Sequence, residues 1–178
     1  MTRAAAALLW CLLVLTAGLS AGQNLQVTPL TREGRVLVSF KLSDPFSEEM
    51  QGAIHSGLTI SFVYEVDIKR SSALWLDRTI GSAQVTATVR YDNLTRRYHV
   101  TLTQDGRIER AETTDREEEA RRLLTEFDKL PLFSSTVLEA NAEYYLRVSA
   151  HTTPRNASFV WPWARHDVTS LAKFTVIR

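Results

Sequence analysis

From Leu58 to Lys69 the chain alternates with a period of two. Leu58, Ile60, Phe62, Tyr64, Val66 and Ile68 fall on one side, Thr59, Ser61, Glu65, Asp67 and Lys69 on the other, and Val63 alone breaks the pattern. Such a run describes a β-strand with one face in a core and one in water, because a helix would scatter these side chains around its axis. It is about twice the usual strand length, so it is expected to bend or to serve two sheets. Each large side chain it buries is worth roughly 1.5–3 kcal/mol, which makes this strand the expected centre of the core. Val36, Val38, Phe40 and Leu42 repeat the pattern against Leu37, Ser39 and Lys41, and Tyr144 to Ala150 and Leu171 to Ile177 read as later strands.

Two short helices interrupt this β pattern. Ser43-Asp44-Pro45 supplies an N-cap followed by proline at the first helical position, and Phe46, Met50, Ala53 and Ile54 then recur at helical spacing until His55-Ser56-Gly57, a helix exit with a glycine cap. The second helix follows Thr114, which forms a capping box with Glu117. Its apolar stripe is Ala120, Leu123, Leu124 and Phe127, its outer face pairs Glu117 with Arg121 and Glu118 with Arg122, and Pro131 closes it.

The stretch Val89 to Leu102, VRYDNLTRRYHVTL, reads as a hairpin. A four-residue loop from Asp92 to Thr95 places Tyr91 opposite Arg96, Val89 opposite Tyr98, Ala87 opposite Val100 and Val85 opposite Leu102, so that the apolar residues share a face. At Gln104-Asp105-Gly106 a three-residue loop, with Gly106 left-handed, sets Ile108 opposite Leu102 and keeps it off the wet face. The polar strand from Arg107 to Thr113 suits a sheet edge. Asn93-Leu94-Thr95 and Asn156-Ala157-Ser158 spell glycosylation acceptors, but such triplets are common by chance, and they read as turns because Asn and Asp tolerate left-handed backbone and bond their own main chain.

The N-terminus has the layout of a secretory signal peptide over residues 1–22. Arg3 is followed by an almost unbroken apolar run from Ala4 to Ala17 and then by Gly18, Ser20, Ala21 and Gly22, with cleavage expected between Gly18 and Gln23. The run is short for a membrane span, so stable membrane insertion is not expected once it is removed. Cys11, the only cysteine, lies within it, which leaves residues 23–178 without thiol chemistry or disulfides. The 21 Lys and Arg against 20 Asp and Glu become balanced without Arg3. Balanced charge argues against nucleic acid and against general attraction to anionic membranes, both of which need a basic excess. No repeat, low-complexity run or linker divides residues 23–178, which are expected to form a single β-rich domain.

Candidate chemistry is sparse. His55, His99, His151 and His166 stand without any two at ligand spacing, and no serine lies in a nucleophile elbow. Glu117-Glu118-Glu119 are explained by the first turn of a helix. No catalytic residue, cofactor or metal ligand is therefore assigned. Trp75, Trp161 and Trp163 lie in segments read as irregular, where aromatic side chains either cap the open ends of the core or line a ligand or partner surface. Capping the core is the favoured reading, since tryptophans are mostly buried; if one place is functional, it is these tryptophans with the loop from His151 to His166.

Arg90-Tyr91 with Leu94-Thr95-Arg96 and Tyr98, Leu42-Ser43-Asp44, Gly57-Leu58-x-Ile60-x-Phe62 and Tyr145-x-Arg147-Val148 resemble a bacterial family of exported proteins known as a domain of unknown function, DUF4390. The resemblance covers roughly Leu25 to Val148. It implies a periplasmic or cell-envelope location and a membrane sensor among candidate partners, and brings no activity or catalytic residue. The expected fold is mainly β, an antiparallel sandwich or open barrel with two short helices. The expected function is non-catalytic, a binding or accessory module for another envelope protein. A carrier or sensor of a small apolar ligand held in the β core is the alternative. An envelope hydrolase is the third, and would need a deep pocket bringing a histidine, an acid and a hydroxyl together.

Overall fold

A computed structural model describes residues 25–70, 77–154 and 167–176. The elements run β1 (Leu25–Arg32), β2 (Arg35–Leu42), α1 (Glu48–His55), β3 (Ile60–Arg70), β4 (Arg78–Asp92), β5 (Arg97–Gln104), β6 (Arg107–Thr114), α2 (Glu117–Thr125), β7 (Glu126–Ser134), β8 (Glu143–Pro154) and β9 (Val168–Thr175). They form two antiparallel sheets, a three-stranded one ordered β1-β2-β7 and a six-stranded one ordered β6-β5-β4-β3-β8-β9. This is a sandwich-like α+β architecture, and the described strands close no barrel.

The central place of β3 follows from its alternation. Ile60, Phe62, Tyr64, Val66 and Ile68 are all buried, and β3 pairs with β4 on one side and β8 on the other along its whole length. Tyr64 reaches across to the small sheet, its ring 4.9 Å from Phe40 and 5.1 Å from Phe127. Gly81 on β4 makes the close approach of the sheets possible, since a Cβ there would stand 3.3 Å from the Phe133 ring on β7. Leu58 departs from the expected strand. It precedes β3, is 42% exposed, and its N–H bonds the Ala53 carbonyl as part of the α1 exit.

Helix α1 starts later than the proline signal implies. Ser47 is the N-cap, its hydroxyl accepting from the Met50 N–H at 3.2 Å, while Asp44 takes a left-handed φ of 50° that ends β2 instead of opening the helix. The exit is as expected: Gly57 at φ 88° lets its own N–H reach the Ile54 carbonyl and the next N–H reach Ala53, a Schellman closure.

Helix α2 shows no capping box between Thr114 and Glu117. Thr114 instead accepts from the Arg116 N–H and donates to Glu119, which also holds the Arg116 guanidinium. Arg121 bonds Glu117 as expected, whereas no ion pair joins Glu118 to Arg122. The helix also stops short, at Thr125. Phe127 and Pro131 belong to β7, where Phe127 opposes Phe40 and the edge position of the strand tolerates the missing proline N–H. Strand pairing with β2 overrides the helical periodicity because it buries Phe127 between Phe40 and Tyr64.

The β4–β5 hairpin has the expected faces in a different register. Tyr91 opposes Tyr98, Val89 opposes Val100 and Ala87 opposes Leu102, a slip of two residues that leaves every side chain on its own side. The loop runs from Asn93 to Arg96 because Asp92 stays in the strand, its carboxylate accepting from the Leu94 and Thr95 N–H groups at 2.8 and 3.2 Å. These backbone bonds hold the Asp92 carboxyl below the usual carboxylate range. Arg96 takes φ 55°, the left-handed region that glycine occupies without strain. Arg96→Gly is therefore expected to raise the unfolding free energy by about 0.5–1 kcal/mol, read as a higher urea midpoint at unchanged slope.

The β5–β6 turn overturns the three-residue expectation. Asp105 and Gly106 both have positive φ, 48° and 81°, in a two-residue turn that pairs Gln104 with Arg107 and sets Ile108 opposite Thr103. Ile108 is 70% exposed as a result. The Asp-Gly turn matches the strand twist, and a bulge after Leu102 then brings Arg110 opposite Leu102. On an edge strand this backbone fit outweighs the burial of one isoleucine.

Candidate functional site

The tryptophans Trp75, Trp161 and Trp163 and most of the loop from His151 to His166 lie outside the described residues, as do Cys11, the leader and the Asn156 triplet. Among the described residues the densest polar constellation is at the corner where both helices meet the β4–β5 hairpin.

His55 ends α1, where helix carbonyls favour a cation, and Glu117 begins α2, where free N–H groups favour an anion. Tyr98 of β5 rises between them. His55 Nε2 is 2.8 Å from the Tyr98 hydroxyl, which also reaches Glu117 Oε2 at 3.5 Å, and His55 Nε2 is 3.6 Å from that oxygen. Arg121 donates to Glu117 Oε1 from Nε at 3.0 Å, and its guanidinium lies 4.9 Å over the Phe46 ring. The Tyr91 ring meets His55 edge-on at 5.4 Å and Tyr98 at 4.7 Å. Burial, with the Glu117 carboxylate second, pushes the Tyr98 phenol up to about 12.

This corner brings a histidine, an acid and a hydroxyl within reach of one another. A phenol that keeps its proton is a hydrogen-bond donor and a poor nucleophile. The cavity beside it, lined by Ile54, Val89, Ala120 and Leu124, measures about 10 Å³, close to the smallest space that holds one water. The arrangement is suited to latching α1, α2 and the hairpin together. Separation in sequence hid it, since positions 55, 98 and 117 lie on three elements and share no spacing.

Two of the residues that carry the family resemblance make contacts in separate places. Gly57 faces the hairpin, with a Cβ there 3.4 Å from Asn93 Nδ2. Arg147 of β8 bonds Asp67 of β3, which also accepts from Ser82 of β4 at 2.7 Å, so one carboxylate ties three strands. The remaining described histidines stay apart. His99 bonds Thr113 and His151 stands 4.0 Å from Glu65. Among the described residues no three His, Cys, Asp or Glu side chains gather as a metal site, and no helix is long and apolar enough to cross a membrane.

Among the described residues two sizeable concavities are open grooves on the outside. One of about 420 Å³ runs between the outer side of β2 and α2, with Gln26, Ser39, Arg110, Leu123 and Asp128 in its walls. The other, of about 550 Å³, lies between the Ser43–Phe46 segment and α2. They meet at Lys41, Arg122 and Glu126, where Lys41 and Glu126 form an ion pair at 2.7 Å. Sequence periodicity gave no signal for these grooves, because their walls come from strand, helix and strand–helix junction together.

The fold and its surface thus define a β-sandwich-like α+β protein with a filled core and charged external grooves. The chain matches the family described as a domain of unknown function (DUF4390) over residues 22–157, and it belongs to that family. No curated protein and no solved structure matches it.

Proposed function

We propose that this protein is an exported bacterial envelope protein without enzymatic activity that binds another envelope protein, a membrane sensor being one candidate, through the two grooves that meet at Lys41, Arg122 and Glu126. The observation that carries this reading is the contrast between inside and outside. Between the sheets the described interior is occupied by Phe62, Tyr64, Leu146 and Tyr144, each at most 1% exposed. The sizeable described concavities lie on the surface, where charged rims and short apolar floors of Phe40, Leu123 and Phe127 suit an extended protein segment of mixed charge.

A carrier of a small apolar ligand needs interior volume, which these core side chains occupy. A hydrolase needs room for substrate beside its reacting groups, and the His55–Tyr98–Glu117 corner has about 10 Å³. Both considerations favour the binding reading.

A photo-crosslinking residue placed at Arg122 in the native envelope is expected to trap one reproducible partner. The same residue at Thr101, on the opposite face of the large sheet, serves as the control. Equal trapping from both positions, or none from Arg122, counts against the proposal.

A further inference from the structure

We propose that strand β6 pairs with β6 of a second copy, joining the two six-stranded sheets edge to edge about a two-fold axis centred on Ala111. β6 is an outermost strand of its sheet, and Arg107 to Ala111 are exposed at every position. The other described edges are less open. β1 packs near β9, and β7 carries Pro131 and an irregular register. Beside the open edge Ile108, 70% exposed, is an apolar side chain left in water.

Charge together with the bulge selects the register. Two identical antiparallel strands in one continuous sheet are related by an axis perpendicular to it, so the axis must fall on a residue facing its own copy. An axis on Glu109, Arg110 or Glu112 sets two identical charges face to face, which opposes pairing. An axis on Ala111 sets methyl against methyl and places each Arg110 opposite Glu112 of the second copy, on both sides of the axis. An axis on Ile108 would also set Arg107 opposite Glu109 of the second copy, but it would centre the ladder on the bulge at Glu109. Within one chain Arg110 and Glu112 already approach to 3.5 Å on the same face of β6, so pairing exchanges two contacts along the strands, one in each copy, for two across the interface, and the gain comes from the backbone ladder. The bulge at Glu109 ends the ladder there, keeping it short. A weak, concentration-dependent dimer is expected, since a strand pair of this length buries less than a standard interface.

Edge pairing does not require the grooves to be occupied, and the test contains no other partner. Sedimentation of the purified protein is expected to show mass doubling as concentration rises through the micromolar range. Arg110→Glu should abolish doubling, because it faces Glu112 of the second copy with a like charge. Mixing Arg110→Glu with Glu112→Arg should restore it, because opposite charges then meet only between the two copies, and an unchanged circular dichroism spectrum for each single variant separates lost pairing from unfolding. In a Cys11→Ser background, Ala111→Cys should oxidise to a covalent dimer much faster than Thr101→Cys on the open sheet face. A wild-type protein that stays monomeric throughout, a dimer indifferent to Arg110→Glu, or equal oxidation at positions 111 and 101 overturns the proposal.

Discussion

Tyr64→Ala is expected to lower the unfolding free energy by about 3–5 kcal/mol, the range for removing a fully buried aromatic side chain. Tyr64 is 0% exposed at the middle of the central strand, and its ring joins the sheets through Phe40 and Phe127. Its hydroxyl donates to the Leu124 carbonyl at 2.7 Å, satisfying an acceptor near the end of α2, and burial pushes the phenol up so that it keeps its proton. Tyr64→Phe separates the two contributions. It keeps the packing and strands one buried carbonyl, at a cost of about 1–3 kcal/mol. Urea unfolding followed by circular dichroism reads both values, with the phenylalanine variant expected between alanine and wild type. Equal losses for the two variants would mean that the ring contributes nothing beyond its hydroxyl, against the packing described.

The second large effect is expected at Leu124, 1% exposed on the inner side of α2. Leu124→Ala should cost about 2–5 kcal/mol, depending on how far the helix settles into the space left. Leu123 is the contrast, a neighbour on the same helix that is only partly buried and lines the outer groove; Leu123→Ala should cost clearly less. Because Tyr64 bonds the Leu124 carbonyl, the double variant Tyr64→Phe/Leu124→Ala should depart from additivity, as contacting residues do. Additive losses would show that the end of α2 and the central strand respond independently. The comparison uses the same urea experiment, so the helix and the sheet are tested against one baseline.

The way each element failed or held explains what was legible. The strand β3 and the buried faces of β2, β4, β5 and β8 were readable because side-chain facing depends on parity alone. Even the two-residue slip between Tyr91 and Tyr98 left the buried set intact. Leu58 escaped because its N–H closes the α1 exit before the strand begins. β7 was misread because Ala120, Leu123, Leu124 and Phe127 satisfy a helical stripe, while the pairing of Phe127 with Phe40 that ends the helix is a contact between distant segments. At Asp105-Gly106 the local turn geometry was stronger than the burial of Ile108 on which the three-residue expectation rested. The expected site at Trp75, Trp161 and Trp163 lies outside the described residues, whereas the corner of His55, Tyr98 and Glu117 had no sequence signal to mark it.

Alternation along the chain by itself determined that this is a mainly β protein, which strands lie near its centre and which of their faces meet the core, because a period of two is a property of each strand alone. Tertiary structure alone decided where helix α2 gives way to β7 and which side chains meet at the helix corner. Those outcomes depend on free energies of contact between segments tens of residues apart, and local periodicity carries no record of them.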